Sequence, residues 1–233
     1  MYIPSQIMAV PVRNRRLFVG DMHGCLAELN DLLEKFVFRP GQDVLFSVGD
    51  IVGKGPNVLG TLHRLQELKA VVVCGNHDQF LLKAAQTPEA ERTSKDIEYL
   101  DSLQSEAAAW IPYIASWPAY VELSDIIMVH GGLEPGKLKL ADMSERILIK
   151  IRTWDGIGDV LHSRNDPPWY ECAKTNKTVV FGHWAERGLI DLPSFKGLDT
   201  GCVYGGKLTG WCPEENRFLQ VPARQAYTAI HRH

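Results

Sequence analysis

Five short apolar runs, each leading into a glycine and a polar residue, constrain the fold of this chain more than any other feature. Runs that are apolar almost throughout are typical of strands covered on both faces. Because the polar residues follow the runs directly, we expect them at strand ends. The runs and their exits are residues 17–19 before Gly20-Asp21, residues 44–48 before Gly49-Asp50, residues 71–74 before Gly75-Asn76-His77, residues 126–129 before His130-Gly131, and residues 179–181 before Gly182-His183.

Helical periodicity fills most of the sequence between these runs. Apolar residues recur at helical spacing over residues 26–36, 59–68 and 97–110. Strand–helix alternation predicts right-handed βαβ units and a largely parallel first sheet. Closely spaced short runs after Phe181 predict an antiparallel portion, with Gly205-Gly206 as a hairpin turn. The fold class is therefore predicted to be α/β with mixed sheets.

The chain has 233 residues, no internal repeat and no low-complexity linker, which favours a single domain over residues 1–233. Residues 1–16 are expected to form an N-terminal arm and residues 222–233 a C-terminal tail. Five cysteines without a CxxC pair indicate a reducing compartment. We therefore expect a cytoplasmic chain, although the three arginines and missing acids of the first 20 residues leave mitochondrial targeting open.

Charge and hydropathy exclude two classes of partner. The net charge is −3, so the chain lacks the global basic field needed for non-specific nucleic-acid binding. No apolar run approaches the ~18 residues of a membrane span. A local basic pocket for a small anion remains compatible with this composition.

The polar residues at the strand exits predict a metal site. Carboxylates and imidazoles suit Mn²⁺, Fe or Zn²⁺, and no cysteine thiolate belongs to the set. Six protein ligands exceed what one catalytic metal needs, which favours two metals that share a carboxylate such as Asp50. The candidate residues are Asp21, His23, Asp50, Asn76, His77, His130 and His183.

Four motifs, in order along the chain, carry a resemblance to a known family. They are Gly20-Asp21-Met22-His23-Gly24, residues 49–55 (GDIVGKG), Gly75-Asn76-His77-Asp78 and His130-Gly131-Gly132. These resemble the GDxHG, GDxVxxG, GNH(D/E) and HxG blocks of the calcineurin-like metallophosphoesterases. Residues 181–184 and 198–209 look more narrowly like the bacterial ApaH diadenosine tetraphosphatases and the eukaryotic ApaH-like phosphatases.

The resemblance implies a fold and a set of roles. The fold would be a two-sheet β-sandwich flanked by α-helices. Asp21, His23 and Asp50 would hold one metal, and Asp50, Asn76, His130 and His183 the second. Two divalent ions are expected, with Mn favoured and Fe, Zn, Co or Mg left open.

Residues around the metals would bind the substrate. By the same resemblance His77 would be the general acid, while Lys54 and Arg152 would clamp the phosphate. Trp184 lies beside a motif histidine, and its indole is a candidate surface for stacking a base.

These roles describe a phosphohydrolase in which a metal-bridging hydroxide attacks phosphorus directly. The favoured substrate is a phosphoanhydride of a nucleoside oligophosphate, such as diadenosine tetraphosphate or the 5′ cap of an RNA. A serine/threonine protein phosphatase or a polyphosphatase with the same metal chemistry is the alternative. A non-catalytic metal-binding module is a more remote one.

Gly53 separates the first two substrate classes. Protein phosphatases of this superfamily usually carry an aspartate there, which orients the general-acid histidine. Its absence is expected to weaken proton delivery, which a seryl alkoxide needs far more than a nucleotide phosphate leaving group. The sequence therefore favours the anhydride.

Overall fold

The computed structural model describes residues 6–7 and 14–229 of the chain. In this part of the chain the strands form two mixed sheets, with orders β1-β5-β6-β7-β9-β8 and β11-β10-β2-β3-β4. The strands are β1 (Gln6–Ile7), β2 (Arg16–Val19), β3 (Val44–Ser47), β4 (Val71–Val72), β5 (Tyr120–Glu122), β6 (Ile126–Val129), β7 (Thr178–Phe181), β8 (Ile190–Leu192), β9 (Phe195–Gly197), β10 (Lys207–Cys212) and β11 (Arg217–Pro222).

An apolar cluster between the two sheets makes the sandwich. Phe18 of β2 and Phe46 of β3 stack with ring centroids 4.6 Å apart, and Trp211 of β10 lies 5.9 Å from Phe18. From the other sheet, Met128 and Val180 join the same cluster. Both faces of these strands are buried because the helices cover the outer sides, as the apolar runs predict.

The helices are α1 (Leu26–Phe36), α2 (Val58–Glu67), α3 (Asn76–Gln86), α4 (Ser94–Asp101), α5 (Ala107–Ala115), α6 (Glu145–Lys150) and α7 (Trp169–Cys172). The first two confirm the predicted amphipathic stretches. The third predicted stretch, residues 97–110, is instead divided between α4 and α5. Gln104 adopts a left-handed conformation with φ of 50°, which a right-handed helix cannot include.

The sheet containing β2, β3 and β4 confirms the parallel prediction, and β10 and β11 add the antiparallel portion. The hairpin expected at Gly205-Gly206 is wrong. The chain before it, β9, belongs to the other sheet, so residues 198–206 cross between sheets. Gly205, with φ of 88°, lies in a tight turn whose N–H groups bond back to Gly201 and Cys202.

Strand exits from both sheets meet at one edge of the sandwich. Strands β2, β3 and β4 lead to Asp21, Asp50 and Asn76, whereas β6 and β7 of the other sheet lead to His130 and His183. The predicted site therefore lies between the sheets.

The two predicted terminal segments are partly described. Within the predicted arm, Gln6–Ile7 pair in parallel with β5, while residues 1–5 and 8–13 lie outside the described residues. Beyond β11, the backbone N–H of Arg224 and the hydroxyl of Tyr227 donate to Oε1 of Glu28 on α1, at 2.9 and 2.7 Å. The predicted tail is thus attached to α1 through residues 224 and 227, whereas residues 230–233 lie outside the described residues. The single-domain organisation stays a prediction.

Among the helices of the described part, none has the length and apolar character to cross a membrane.

We expect Tyr227→Phe to lower the free energy of unfolding by about 1–2 kcal/mol, because the fully buried Glu28 carboxylate loses a hydrogen bond. Urea unfolding measures the loss. Tyr113→Phe is the control, since its hydroxyl has no hydrogen bond within the described residues. Equal stability of the two variants would contradict this anchoring role.

Candidate metal centre

Asp50 occupies the middle of the strand exits, and its two oxygens face different histidines. Its side chain is buried, with Oδ1 3.4 Å from Nε2 of His130 and Oδ2 3.6 Å from Nε2 of His23. The backbone N–H of His77 also donates to Oδ1 at 2.8 Å. A carboxylate with one oxygen near His23 and the other near His130 can be a ligand of two cations at once.

Two groups of side chains at the strand exits have the spacing of metal ligands, and both include Asp50. A third group of this kind among the described residues, Cys25, Glu28 and Cys202, contains none of the predicted ligands. In one of the two groups at the strand exits, single ligand atoms of Asp21, Asp50 and His130 all lie within 4.8 Å of one another; in the other, those of His23, Asp50 and His77 do. The donor set of carboxylate oxygens and imidazole nitrogens fits divalent cations such as Mn²⁺ or Zn²⁺. These two groups therefore have the chemistry to hold divalent ions on either side of Asp50, with His77 close to them but predicted to act as the acid and not as a ligand.

The buried histidines are fixed by backbone carbonyls. Nδ1 of His130 bonds to the carbonyl of Val48 at 2.7 Å, and Nδ1 of His23 to that of Val52 at 3.1 Å. Both rings consequently present Nε2 to the site, which is the usual arrangement around a metal.

Asn76 and His183 complete the predicted ligand set. The Asn76 Oδ1 lies 3.1 Å from Nε2 of His130, and the rings of His130 and His183 have centroids 5.1 Å apart. The backbone N–H of His183 donates to Asp21 at 3.2 Å, while its Nε2 lies 3.1 Å from the carbonyl of Lys150. The structure thus brings all six predicted ligands together, and their assignment to particular metals stays a prediction.

Opposite charges and burial set the electrostatics of the centre. Burial disfavours the Asp50 carboxylate, but the nearby His130 and His77 outweigh it and hold the pKa of Asp50 well below its usual range. Burial likewise opposes protonation of His130, yet Asp50 and Asp21 raise its pKa to about 10. Burial and the neighbouring Asp199 raise the pKa of Asp21 well above normal. Such crowding of buried carboxylates is relieved by cations.

Two glycines make room for the carboxylates. A Cβ at Gly75 would overlap Oδ1 of Asp50, and one at Gly182 would overlap Oδ1 of Asp21. Glycine at these positions therefore lets each carboxylate lie directly against the backbone of a neighbouring strand exit.

Asp78, the last residue of the third motif, holds the loop that carries Asp50. Its fully buried carboxylate accepts hydrogen bonds of 2.9–3.2 Å from the backbone N–H groups of Asp50, Ile51, Val52 and Gly75. Burial and the nearby Asp50 raise the pKa of Asp78 to about 7. Asp78 thereby connects the loop after β3 to the start of α3.

His77 begins α3 next to Asn76, and its ring stands edge-on to that of His23 at 4.8 Å. Its Nδ1 is hydrogen-bonded to the hydroxyl of Tyr99 on α4. The expectation drawn from Gly53 needs correction on this point, because His77 has an orienting partner after all. Sequence reasoning missed Tyr99 because it lies 22 residues away, on a separate helix.

The two predicted phosphate clamps lie beside the centre. Nζ of Lys54 donates to the hydroxyl of Tyr204 at 2.6 Å, and burial lowers the pKa of Lys54. Nη2 of Arg152 donates to the carbonyl of His183 at 3.1 Å, while its buried Nε has no partner among the described residues. Both cations can therefore turn part of their hydrogen-bonding capacity toward an anion.

Trp184 is placed differently from the prediction. It is 7% exposed, and the guanidinium of Arg187 covers its ring at 4.5 Å. Because the ring is buried and one face is covered by Arg187, it offers little surface for a base, and it does not line the cleft described next.

A cleft of about 760 Å³ adjoins the centre and is lined by Asn76, His77 and His183. Its other charged lining residues, within the described part of the chain, are the four cations Lys83, Lys95, Lys150 and Arg152. Lys83 lies two turns after Asn76 on α3, so helical periodicity could have identified it. Lys95 and Lys150 come from other elements, and no motif marks them.

Comparison with known proteins gives consistent results. Residues 15–206 match the family described as calcineurin-like phosphoesterase. In an alignment of 261 positions, the chain is 30% identical to the symmetrical bis(5′-nucleosyl)-tetraphosphatase of Shewanella oneidensis. The alignment covers 86% of this chain and 95% of that one. Its identity to the protein of the same name from Janthinobacterium sp. (strain Marseille) is 31%, covering 89% and 96%. The crystal structure of a proposed diadenosine tetraphosphatase superposes with a TM-score of 0.78 and 32% identity, covering 93% and 97%.

We expect Asp78→Ala to lower the free energy of unfolding by about 3 kcal/mol or more, because four backbone N–H groups lose a buried acceptor. Urea unfolding and the metal bound per chain are the measurements. The control is Asp96→Ala, which removes a surface capping carboxylate of α4 and should cost about 1 kcal/mol. If the two variants lose equal stability and Asp78→Ala keeps its metal, the role given to Asp78 is wrong.

Proposed function

Since this chain belongs to the calcineurin-like phosphoesterase family and is a metal-dependent phosphohydrolase, we propose that it cleaves a phosphoanhydride bond of a nucleoside oligophosphate. Diadenosine tetraphosphate is the leading substrate, because the relatives named above are bis(5′-nucleosyl)-tetraphosphatases. The 5′ cap of an RNA contains the same kind of bond and is a second candidate of this class.

The observation that carries the proposal is the charge of the cleft. Four cationic side chains line it, whereas the whole chain has a net charge of −3. A single phosphate monoester would occupy only the part next to the centre. An oligophosphate extends further and can pair with Lys83 and Lys95 beyond it.

In this proposal Asp21, His23, Asp50, Asn76, His130 and His183 hold two divalent cations, with Mn²⁺ the favoured metal. When bound, such cations would neutralise charge on the phosphoryl oxygens and lower the pKa of the water that attacks phosphorus. The buried carboxylates set their positions, and the carbonyl-bound histidines keep Nε2 directed inward.

The surrounding side chains act on the substrate itself. Lys54 and Arg152 stabilise the negative charge of the transferring phosphoryl group. His77 lines the cleft and gives a proton to the leaving phosphate oxygen.

A phosphoprotein remains the second candidate substrate, and one observation favours it. The Tyr99 contact orients His77, so the missing carboxylate at Gly53 does not by itself rule out a leaving group that needs a proton. A panel of diadenosine tetraphosphate, a cap analogue, polyphosphate and a phosphoserine peptide, assayed with Mn²⁺, decides between them. A preference of tenfold or more for the phosphopeptide would overturn the proposal, and inactivity on every substrate would favour a metal-binding module.

We expect Asp50→Asn to lower kcat by at least about 10²-fold and to release at least one metal ion, because an amide cannot bridge two cations as a carboxylate does. Metal analysis and circular dichroism accompany the rate measurement. Asp101→Asn, an exposed residue at the end of α4, is the matched control. Two retained metals with normal turnover in Asp50→Asn would contradict the shared-ligand assignment.

Lys83→Ala should raise KM for diadenosine tetraphosphate by about three- to fivefold and change that for 4-nitrophenyl phosphate by less than about 1.5-fold. The reason is that Lys83, two turns along α3 from Asn76, faces the phosphates distant from the metals, where an exposed ion pair contributes up to about 1 kcal/mol. Lys139→Ala, an exposed lysine outside the cleft, is the control. Equal effects on both substrates would contradict a distal phosphate site.

A further inference from the structure

Tyr99 is a buried side chain on α4 whose hydroxyl reaches into the centre. It is 2% exposed, and its hydroxyl bonds to Nδ1 of His77. The two rings are nearly parallel, at 15° and 5.9 Å between centroids, and Phe80 packs edge-on against Tyr99 at 4.7 Å. Packing on α3 and α4 therefore restricts the Tyr99 ring to one orientation.

Gly53 provides the space that Tyr99 occupies. A Cβ at position 53 would lie 2.5 Å from both Cζ and the hydroxyl oxygen of Tyr99. The backbone there has φ of 81°, a conformation that favours glycine. Tyr99 can thus occupy this position only because residue 53 has no side chain.

The contacts of His77 leave one ring nitrogen for the substrate. Its backbone N–H is held by Asp50, and its Nδ1 by Tyr99. Nε2 has no hydrogen-bond partner among residues 14–229, and His77 lines the cleft. The His77 ring is therefore fixed through Nδ1, while Nε2 on its opposite edge is available to the substrate.

We propose that Tyr99 is the positioning residue of His77, fixing its ring so that Nε2–H faces the leaving-group oxygen. This inference rests on the proposed phosphohydrolase chemistry but not on the nucleotide substrate. The reacting form of His77 is the imidazolium, in which Nδ1–H donates to the Tyr99 oxygen and Nε2–H faces the substrate. Loss of the Nε2 proton leaves the neutral ring, in which Nδ1–H still donates to Tyr99. The transferred proton is the one on Nε2, which goes to the oxygen as the P–O bond breaks.

The main test is Tyr99→Phe, which removes the hydroxyl and keeps the ring. Its kcat should fall by about 10-fold on 4-nitrophenyl phosphate and about 100-fold on phenyl phosphate, because the poorer leaving group depends more on the proton. KM and bound metal should stay at wild-type values, and thermal stability should fall only modestly, because Nδ1 of His77 loses one buried hydrogen bond. Tyr170→Phe, whose ring packs in a different cluster, is the control.

These aryl phosphates separate this inference from the substrate proposal, since they need only the metal-dependent chemistry. If diadenosine tetraphosphate is not cleaved but the leaving-group difference appears, the nucleotide proposal fails and the role of Tyr99 stands. Equal losses on both aryl phosphates, no loss, or loss of metal in Tyr99→Phe would overturn the role of Tyr99.

A second test moves the hydrogen-bond partner of His77 from position 99 to position 53. Gly53→Asp alone should be poorly folded because its side chain overlaps Tyr99. In the Tyr99→Ala background that space is open, and aspartate is among the residues that tolerate positive φ. The double variant should regain at least about tenfold in phenyl phosphate turnover over Tyr99→Ala, as the new carboxylate takes the hydroxyl's place beside Nδ1.

The orientation of His77 can also be observed without catalysis. In the metal-free protein, ¹⁵N NMR should show the Nδ1–H tautomer of His77 in the wild type and a mixture of tautomers in Tyr99→Phe. The same tautomer population in both proteins would overturn the proposal.

Discussion

The carboxylate of Asp78 is the constraint on which the rest of the centre depends. It gathers four backbone N–H groups from the loop after β3 and from the start of α3. Asp50 lies in that loop with φ of 52°, a conformation that a non-glycine residue keeps only when its surroundings enforce it. Because His77 begins the same helix, a single buried side chain sets the position of both the shared metal ligand and the predicted acid.

Neither sheet could build this site alone. Asp21, Asp50 and Asn76 follow strands of one sheet, whereas His130 and His183 follow strands of the other. The contacts of His130 with Asp50 and of His183 with Asp21 cross between them. The apolar layer around Phe18 and Phe46 therefore serves the chemistry indirectly, since it fixes the distance between the two ligand sets.

How much could be predicted from the sequence depended on whether a signal was local. The strand exits gave a local signal, because an apolar run and the polar residue that ends it are adjacent, so the convergence of the candidate residues was predictable from short motifs. The two-sheet sandwich and the set of six ligands were implied by the family that these motifs resemble. The hairpin at Gly205-Gly206 failed because turn residues do not reveal which sheet the next strand joins. Tyr99 and the cleft lysines were missed since only tertiary packing brings them to the centre, and Trp184 was misplaced because burial depends on the same packing.

The glycines at positions 75 and 182 have a consequence for how such a site can change. Each lies so close to a buried carboxylate that even a methyl group has no room. In a saturation mutagenesis library, these two positions should tolerate no more replacements than Asp50 or Asp21 themselves. The centre therefore depends on these glycines as strictly as on its ligands. During evolution, loss of the activity could begin with a substitution at a glycine as readily as with one at a ligand.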